Sequence, residues 1–157
     1  MPLTDDQLLA RLNERLSPAS RLLGGKLIEL NSKRGYVRIA FEAKQEFCNP
    51  MGGVQGGFVA AMLDEAASMA AVAHAQRKIG FPTVEFKVTF LAPARPGFLY
   101  ADGRVLKLGN RRAVLEADLF DPDRLHLARM SATSLPAPME APALVARSSS
   151  PDGSAAW

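Results

Sequence analysis

The sequence predicts an α+β protein in which an antiparallel sheet wraps around one long central helix. The first observation behind this prediction is the order of the segments, which is a short helix, two strands, a long apolar helix and four further strands. Runs of antiparallel strands with one dominant helix favour this arrangement. The second is the long helix itself, from residue 57 to about residue 78, whose only polar residues up to position 73 are Asp64, Glu65 and Ser68. A helix that is apolar all round is expected to be buried, and its many alanines would let strands approach it closely.

The first third of the chain reads as one helix and a β-hairpin. Thr4 is placed to cap a helix over residues 5–16, with acidic residues in its first turn. Strands are predicted at 23–31 and 35–43, joined by a turn at residues 33–35. In the second strand Val37, Ile39 and Phe41 alternate with other residues at a period of two.

A loop over residues 44–56 precedes the long helix, and the remainder reads as strands. A strand that ends at Pro93 carries Val84, Phe86, Val88 and Phe90 on one face. Further strands are predicted at 98–108, 111–120 and 124–135, with turns at 109–110 and 121–123. The segment 136–157 is rich in Pro, Ala, Ser and Gly, and we expect it to be largely disordered. The chain thus divides into an N-terminal helix at 1–19, a domain at 20–135 and a tail at 136–157.

Composition excludes several classes of protein. The 157 residues suffice for one domain with an ordinary core. A net charge of +3 with dispersed basic residues argues against a nucleic-acid partner. The apolar run 57–73 is interrupted by two acids and shorter than the roughly 20 residues that span a bilayer, so no membrane association is expected. The single cysteine permits no intrachain disulfide and the N-terminus lacks the pattern of a signal peptide. These features predict a cytoplasmic protein.

The candidate catalytic residue is Asp64. A glycine-rich turn at residues 52–57 runs directly into the apolar helix that carries this acid. Burying an ionisable group is costly; both a structural and a catalytic role are open for it, and the preceding glycines favour catalysis. A Ser-His-Asp site is not indicated, because there is no G-x-S-x-G and the only histidines are His74 and His126. No Cys/His cluster has metal-ligand spacing, no cofactor is expected, and Cys48 is interpreted as a small loop residue.

Two groups of residues together resemble a known family. The first is Asn49-Pro50-x-Gly52 followed by Gly56-Gly57 and, further along, Asp64; the second is Thr83-x-Glu85-x5-Leu91-x-Pro93-x2-Pro96-Gly97. In this order they resemble the hotdog-fold acyl-CoA thioesterases of the phenylacetic-acid-degradation (PaaI-like) and 4-hydroxybenzoyl-CoA type, over about residues 20–135. One position departs from the family, which usually has His-Gly-Gly where this chain has Gln55-Gly56-Gly57.

The resemblance implies a role for each matching position. Asp64 corresponds to the catalytic carboxylate, which acts either as nucleophile or as general base on water. Gly56 corresponds to the residue whose backbone N–H polarises the thioester carbonyl. Asn49 matches a side-chain amide that assists there. Ser68 matches a hydroxyl near the carboxylate, and Thr83 matches a hydroxyl position on the strand after the helix. Helix N-termini stabilise developing negative charge, which suits this chemistry.

The resemblance also implies acyl-CoA as substrate. Gln55 is interpreted as a residue that positions the loop, and Gly57 as one that lets substrate approach the backbone closely. Four basic residues around the turn at 109–110 could contact the phosphates of CoA, or could instead protect strand edges from aggregation: Arg104, Lys107, Arg111 and Arg112.

Helix geometry predicts that the site is shared between protomers. Gly56 and Asp64 are eight residues apart, about 12 Å along a helix, so one carbonyl cannot contact both in the same chain. The resemblance likewise implies at least a homodimer, with pairing of dimers into a homotetramer. A non-catalytic or weakly active acyl-CoA-binding hotdog protein remains an alternative because of Gln55. A hotdog dehydratase is disfavoured because no histidine lies near the glycine-rich turn.

Overall fold

The computed structural model of the chain describes residues 3–76 and 78–139. The helices are α1 (Asp5–Glu14), α2 (Pro18–Leu22) and α3 (Gly56–Ala75), with a 3-10 turn at Gln45–Phe47. The strands are β1 (Gly25–Asn31), β2 (Tyr36–Ala43), β3 (Ile79–Gly80), β4 (Thr83–Phe90), β5 (Gly97–Leu108), β6 (Ala113–Phe120), β7 (His126–Ser134) and β8 (Ala137–Pro138). Six of them form one antiparallel sheet in the order β1-β2-β5-β6-β7-β4. The predicted fold, a sheet around a long central helix, is confirmed.

Helix α1 begins where the capping pattern predicts. The Thr4 hydroxyl accepts a hydrogen bond from the Gln7 backbone N–H, and the Gln7 side chain accepts one from the Thr4 backbone N–H. This reciprocal pair satisfies two of the free donors at the helix start. The helix ends at Glu14 rather than at residue 16. The Asn13 side chain then bonds both backbone groups of Leu27, at 2.9 and 3.0 Å, which holds α1 against β1.

Helix α2 was not predicted. Its first turn is closed by Ser17, whose hydroxyl accepts a hydrogen bond of 3.0 Å from the Ser20 backbone N–H, and Pro18 occupies the first helical position. Serine as a cap followed by proline is a recognised helix start, so a signal was present in the sequence. The first strand consequently begins at Gly25 instead of residue 23.

Helix α3 packs closely on the sheet. Eight of its residues are buried, most of them alanines: Val59, Met62, Leu63, Ala66, Ala67, Ala70, Ala71 and Ala73. At Gly103 of β5 an added Cβ would lie only 2.0 Å from the carbonyl oxygen of Ala66, so only glycine allows this contact. By length and composition alone α3 could cross a membrane, but its burial against the sheet identifies it as the core helix of the domain.

The face of the sheet opposite α3 carries two buried acids. Asp102 and Asp118 are directly paired between β5 and β6. Arg38 bonds both oxygens of Asp102, at 2.7 and 2.9 Å, and Arg104 bonds Asp118. Burial, followed by the charge of Asp102, raises the pKa of Tyr36 to about 12, so the Tyr36 hydroxyl remains protonated and donates to Asp102. Each acid is therefore neutralised locally, as buried charges require.

The end of α3 and the start of the predicted tail lie together. Helix α3 ends at Ala75, three residues before the predicted position, because Gln76 adopts a left-handed conformation with φ of 47°. Strand β3 then pairs with β8, so the segment predicted to begin the disordered tail starts as a short strand. Residues 140–157 of that predicted tail lie outside the described residues.

Candidate active site

The N-terminus of α3 presents free backbone donors. Gln55 precedes the helix, and its carbonyl accepts hydrogen bonds from the backbone N–H groups of Phe58 and Val59. Within the described part of the chain, the N–H groups of Gly56 and Gly57 have no hydrogen-bond partner. Two free donors at a helix N-terminus form a natural site for negative charge. The Gln55 side chain is exposed and makes no capping hydrogen bond.

A cavity of about 400 Å³ opens beside Gly56. Asn49 also lines this cavity, together with apolar residues of the strand-to-loop segment that follows β4. The Asn49 side-chain oxygen accepts hydrogen bonds from the backbone N–H groups of Met51 and Gly53, at 2.9 and 3.3 Å. These bonds hold the glycine-rich turn in place. The structure therefore brings together two of the predicted catalytic residues, Gly56 and Asn49.

Asp64 lies elsewhere, beside Thr83. The Thr83 hydroxyl donates a hydrogen bond of 2.7 Å to Oδ1 of Asp64, which joins the start of β4 to the middle of α3. Both side chains are partly buried. Ser68 lies one helical turn further on the same side of α3 and is also partly buried. The predicted residues Asp64, Ser68 and Thr83 thus form a second group.

These two groups do not meet within one chain. Asp64 does not line the cavity beside Gly56, and the two residues are about 12 Å apart along the helix axis. One substrate carbonyl cannot contact both residues of the same protomer. The geometry of the single chain agrees with the separation expected from the sequence.

Within the single chain, the predicted burial of α3 is found on one side of the helix only. Gly57, Ala61, Asp64 and Ser68 recur at helical spacing on one stripe of α3, and none of them is buried. The sheet covers the opposite side of the helix only. The acid that looked buried in the sequence therefore faces outward from this chain.

Glu65 faces a different neighbour from Asp64. The Ser20 hydroxyl of α2 donates a hydrogen bond to Oε1 of Glu65. Burial raises the pKa of Glu65, and the negative charge of Asp64 acts in the same direction, while the hydrogen bond from Ser20 opposes it. Glu65 therefore attaches α2 to the central helix, which is a structural role.

The four predicted phosphate contacts divide into two kinds. Arg104 forms an ion pair with Asp118 on the outer face of the sheet. The other three are exposed, in or beside the turn between β5 and β6: Lys107, Arg111 and Arg112. Strand register relates this turn to the Asp64 group, because Ser134 of β7 pairs with both Ala113 and Thr83. The basic turn thus lies at the end of the sheet where β4 begins, near Thr83.

Other chemically interesting side chains have structural partners. His74 Nδ1 lies 2.7 Å from the carbonyl oxygen of Ser32, and His126 Nε2 lies 2.8 Å from Asp118, without the alignment of a good hydrogen bond. Among residues 3–76 and 78–139, no three His, Cys, Asp or Glu side chains are grouped so that they could hold a metal ion.

Comparison with known proteins identifies the family. The family model described as the thioesterase superfamily matches residues 51–128. A relative from Saccharolobus solfataricus, assigned to the esterases, is 31% identical over 105 residues, which cover 66% of this chain and 71% of the relative. The medium/long-chain acyl-CoA thioesterase YigI of Salmonella typhimurium is 26% identical over 83% of this chain and 95% of its own.

A solved structure supports the same assignment. The crystal structure of a phenylacetic acid degradation-related protein from Ralstonia eutropha JMP134, described as a thioesterase, superimposes with a TM-score of 0.74. The two chains are 28% identical, and the match covers 83% of this chain and 97% of that one. The chain belongs to the thioesterase superfamily. The predicted family, the hotdog fold and the class of thioester hydrolase are thereby confirmed.

Proposed function

We propose that the protein is an acyl-CoA thioesterase whose active site is shared by two protomers. One protomer contributes the N–H of Gly56 and the side chain of Asn49, which bind the thioester carbonyl. Its partner contributes Asp64, oriented by Thr83, with Ser68 alongside. The observation that carries this proposal is the division of the site within one chain, where the carbonyl-binding and acidic groups are about 12 Å apart on α3.

The chemistry follows from the free donors at Gly56. Attack on a thioester produces a tetrahedral oxyanion, and donors already fixed in position stabilise that charge without reorganisation. The hydrogen bonds that Asn49 makes to its own turn fix the loop that precedes the helix. The departing group is a thiolate, so no strong acid is needed to expel CoA.

The acid acts on the other side of the carbonyl. Thr83 occupies Oδ1 of Asp64, which leaves Oδ2 to attack the carbonyl carbon or to remove a proton from water. Single-turnover hydrolysis in heavy-oxygen water tests the nucleophilic route. Label found in the Asp64 carboxylate would identify an anhydride that water opens at the aspartyl carbon. A general base sends the label into the product acid, as does water that opens the anhydride at the acyl carbon, so trapping of an acylated protein distinguishes these two cases.

Two uncovered surfaces support a homodimer. Strand β4 is an edge of the sheet and exposes Val84, Phe86 and Phe90, with 46–59% of each residue accessible. The outward stripe of α3 is uncovered as well. An exposed apolar edge strand readily pairs with another chain, and burying it against a second copy would bring the helix of one protomer towards that of the other.

The basic turn fits the phosphates of CoA. Lys107, Arg111 and Arg112 are exposed near the start of β4, and in this arrangement they belong to the protomer that supplies Asp64. Arg111→Ala combined with Arg112→Ala should raise KM for an acyl-CoA, but not for the same acyl group on the short thiol N-acetylcysteamine. Equal effects on both thioesters would exclude phosphate binding by this turn.

The direct test is release of free thiol from a panel of acyl-CoAs at defined protein concentration. Turnover that disappears in Asp64→Asn supports the proposal. Binding of CoA with thermal stabilisation but no thiol release would instead identify an acyl-CoA-binding protein. The proposal also includes a cytoplasmic location. It further includes pairing of dimers into a tetramer, and light scattering after size exclusion would measure the mass of that assembly.

A further inference from the structure

An apolar groove of about 280 Å³ runs between α2 and the first two turns of α3. Gln55 lies at its edge, and its remaining lining is carbon-rich: Ala19, Leu22, Leu23, Gly57, Phe58 and Ala61. The groove is distinct from the cavity beside Gly56, which is formed by the loop after β4.

The walls of the groove are held in place without a ligand. The ring of Phe58 stacks on buried Phe47, with centroids 4.2 Å apart and planes inclined by 14°. The opposite wall, α2, is attached to α3 by the hydrogen bond from Ser20 to Glu65. Glu65 lies one helical turn beyond Ala61, so this attachment lies past the far end of the groove. A pocket that exists before binding lowers the entropic cost of binding.

The groove begins beside the proposed carbonyl-binding position. Gln55 and Gly57 line it and are the immediate neighbours of Gly56, which lines the other cavity. The two cavities therefore diverge from the same helix N-terminus. A thioester bound there has two arms, an acyl chain without hydrogen-bonding groups and a pantetheine arm with two amides.

The chemistry of the two cavities distinguishes these arms. The cavity beside Gly56 has the more polar lining of the two, which suits pantetheine, whereas the groove offers only one polar side chain, at its edge. Leu22 has 57% of its surface exposed in the groove wall, which would be covered by an apolar occupant. Burying amides without partners would be costly, while burying methylene groups would be favourable.

We infer that the groove between α2 and α3 binds an aliphatic acyl chain and that α2 sets the preferred chain length. This inference rests on the proposed thioesterase function and adds the substrate class. A methylene group takes up about the volume of a water molecule, about 30 Å³, so the groove holds roughly eight to ten carbons. Medium-length straight chains are therefore the preferred acyl groups, ahead of acetyl and butyryl groups.

Filling the groove from the α2 wall tests the inference. Ala19→Leu adds three carbons, about a third of the groove volume, and Leu22→Trp replaces the leucine side chain by a larger indole on the same wall. We expect kcat/KM for decanoyl-CoA to fall by about tenfold or more in each variant, while the value for butyryl-CoA stays within about threefold. Ala10→Leu places the same change at an exposed position of α1 and should alter neither substrate.

Binding of non-hydrolysable S-decyl-CoA and S-butyl-CoA, measured by calorimetry, separates this inference from the proposed function. The wild type should bind S-decyl-CoA more tightly, and both groove variants should lose that preference. If the wild type hydrolyses thioesters without preference for length, or if both variants impair butyryl and decanoyl substrates equally, the groove assignment is wrong. If no thioester is hydrolysed but the binding preference and its loss are observed, the enzymatic proposal fails and the groove assignment stands.

Discussion

Thr83 and Asp64 are joined by a hydrogen bond of 2.7 Å that connects the edge strand β4 to the central helix. The hydroxyl donates to Oδ1, and Oδ2 accepts no hydrogen bond from the described residues. One oxygen of the carboxylate is therefore fixed in position and the other is available for chemistry. In the proposed function Thr83 orients the acid and Oδ2 carries out the chemistry, and each of these roles can be tested by its own substitution.

Replacing Asp64 by asparagine should remove the acid and retain its shape. We expect kcat to fall by about 10²–10⁴, the range for loss of a positioned general base. Thermal unfolding and CoA binding should remain near the wild-type values, because the amide oxygen still accepts from Thr83. Near-full activity of this variant in the thiol-release assay would mean that Asp64 is not catalytic.

Thr83→Val should remove the orienting hydrogen bond without changing the volume of the side chain. We expect kcat to fall by about tenfold with little change in KM, since a hydrogen bond to a charged group contributes about 1.5–3 kcal/mol. Thr83→Ser keeps the hydroxyl and should restore most of the activity. If the serine and valine variants have the same kcat, the hydroxyl does not position Asp64.

Glu65→Gln should leave turnover within a few fold of the wild type, because Glu65 bonds Ser20 and not the site. Its effect on stability should depend on pH. Burial raises the pKa of Glu65 from 4.5, so the folded state holds this proton more tightly than the unfolded state does. The free energy of unfolding therefore falls as pH rises above about 4.5.

Glutamine does not titrate, so the free energy of unfolding of the Glu65→Gln variant does not fall with pH for this reason. The difference in Tm, variant minus wild type, should be larger at about pH 8 than at about pH 4. A difference that is constant across this range would contradict the assigned cause. An inactive Glu65→Gln together with an active Asp64→Asn would show that the wrong acid was chosen.

Gln55→His should be tolerated. The Gln55 side chain is exposed and does not cap α3, and either residue can donate a hydrogen bond to a ligand. We expect kcat/KM to change by less than about threefold at a pH where histidine is neutral. A rise by orders of magnitude would identify the natural protein as a weakened enzyme.

Mixing two inactive variants tests the shared site. Gly56→Val should block the carbonyl position, because a Cβ at residue 56 already comes within 3.1 Å of the Phe90 ring, and Asp64→Asn should disable the acid. After dissociation and random pairing, half of the dimers carry one intact site of two, so roughly a quarter of wild-type activity should return.

Formation of the mixed dimer must be verified independently, by differently tagged chains purified through both tags. Verified mixed dimers without activity would mean that each chain contains a complete site. The activity of each variant measured alone provides the background against which the activity of the mixed dimer is compared.

The sequence predicted the architecture well because its patterns are local. Alternation in β2, the cap at Thr4 and the apolar length of α3 each identify one element without reference to the others. Helix α2 was missed because its five residues are too short for a periodic pattern, although the Ser17-Pro18 start was present. The uncovered side of α3 was not predicted either, because residues on all faces of the helix are mostly apolar and the pattern does not distinguish the covered face from the uncovered one.

Contacts between distant residues were less accessible to sequence reasoning. The approach of Thr83 to Asp64 was not anticipated, because no rule of spacing relates a strand residue to a helix residue 19 positions earlier. The family resemblance gave Thr83 only as a hydroxyl position on the strand after the helix. The pairing of Arg104 with Asp118 was not anticipated, since it depends on the register of β5 against β6. The groove beside α2 was not predicted because α2, which forms one of its walls, was not predicted.

The close contact at Gly103 also has an evolutionary consequence. One base change in a glycine codon produces alanine, and here the added methyl group would collide with the carbonyl of Ala66, two positions after Asp64. The helix would have to lift from the sheet, and Asp64 would move away from Thr83. A residue that lies on the opposite side of α3 from the proposed site thus limits which descendants of this gene can hold Asp64 beside Thr83.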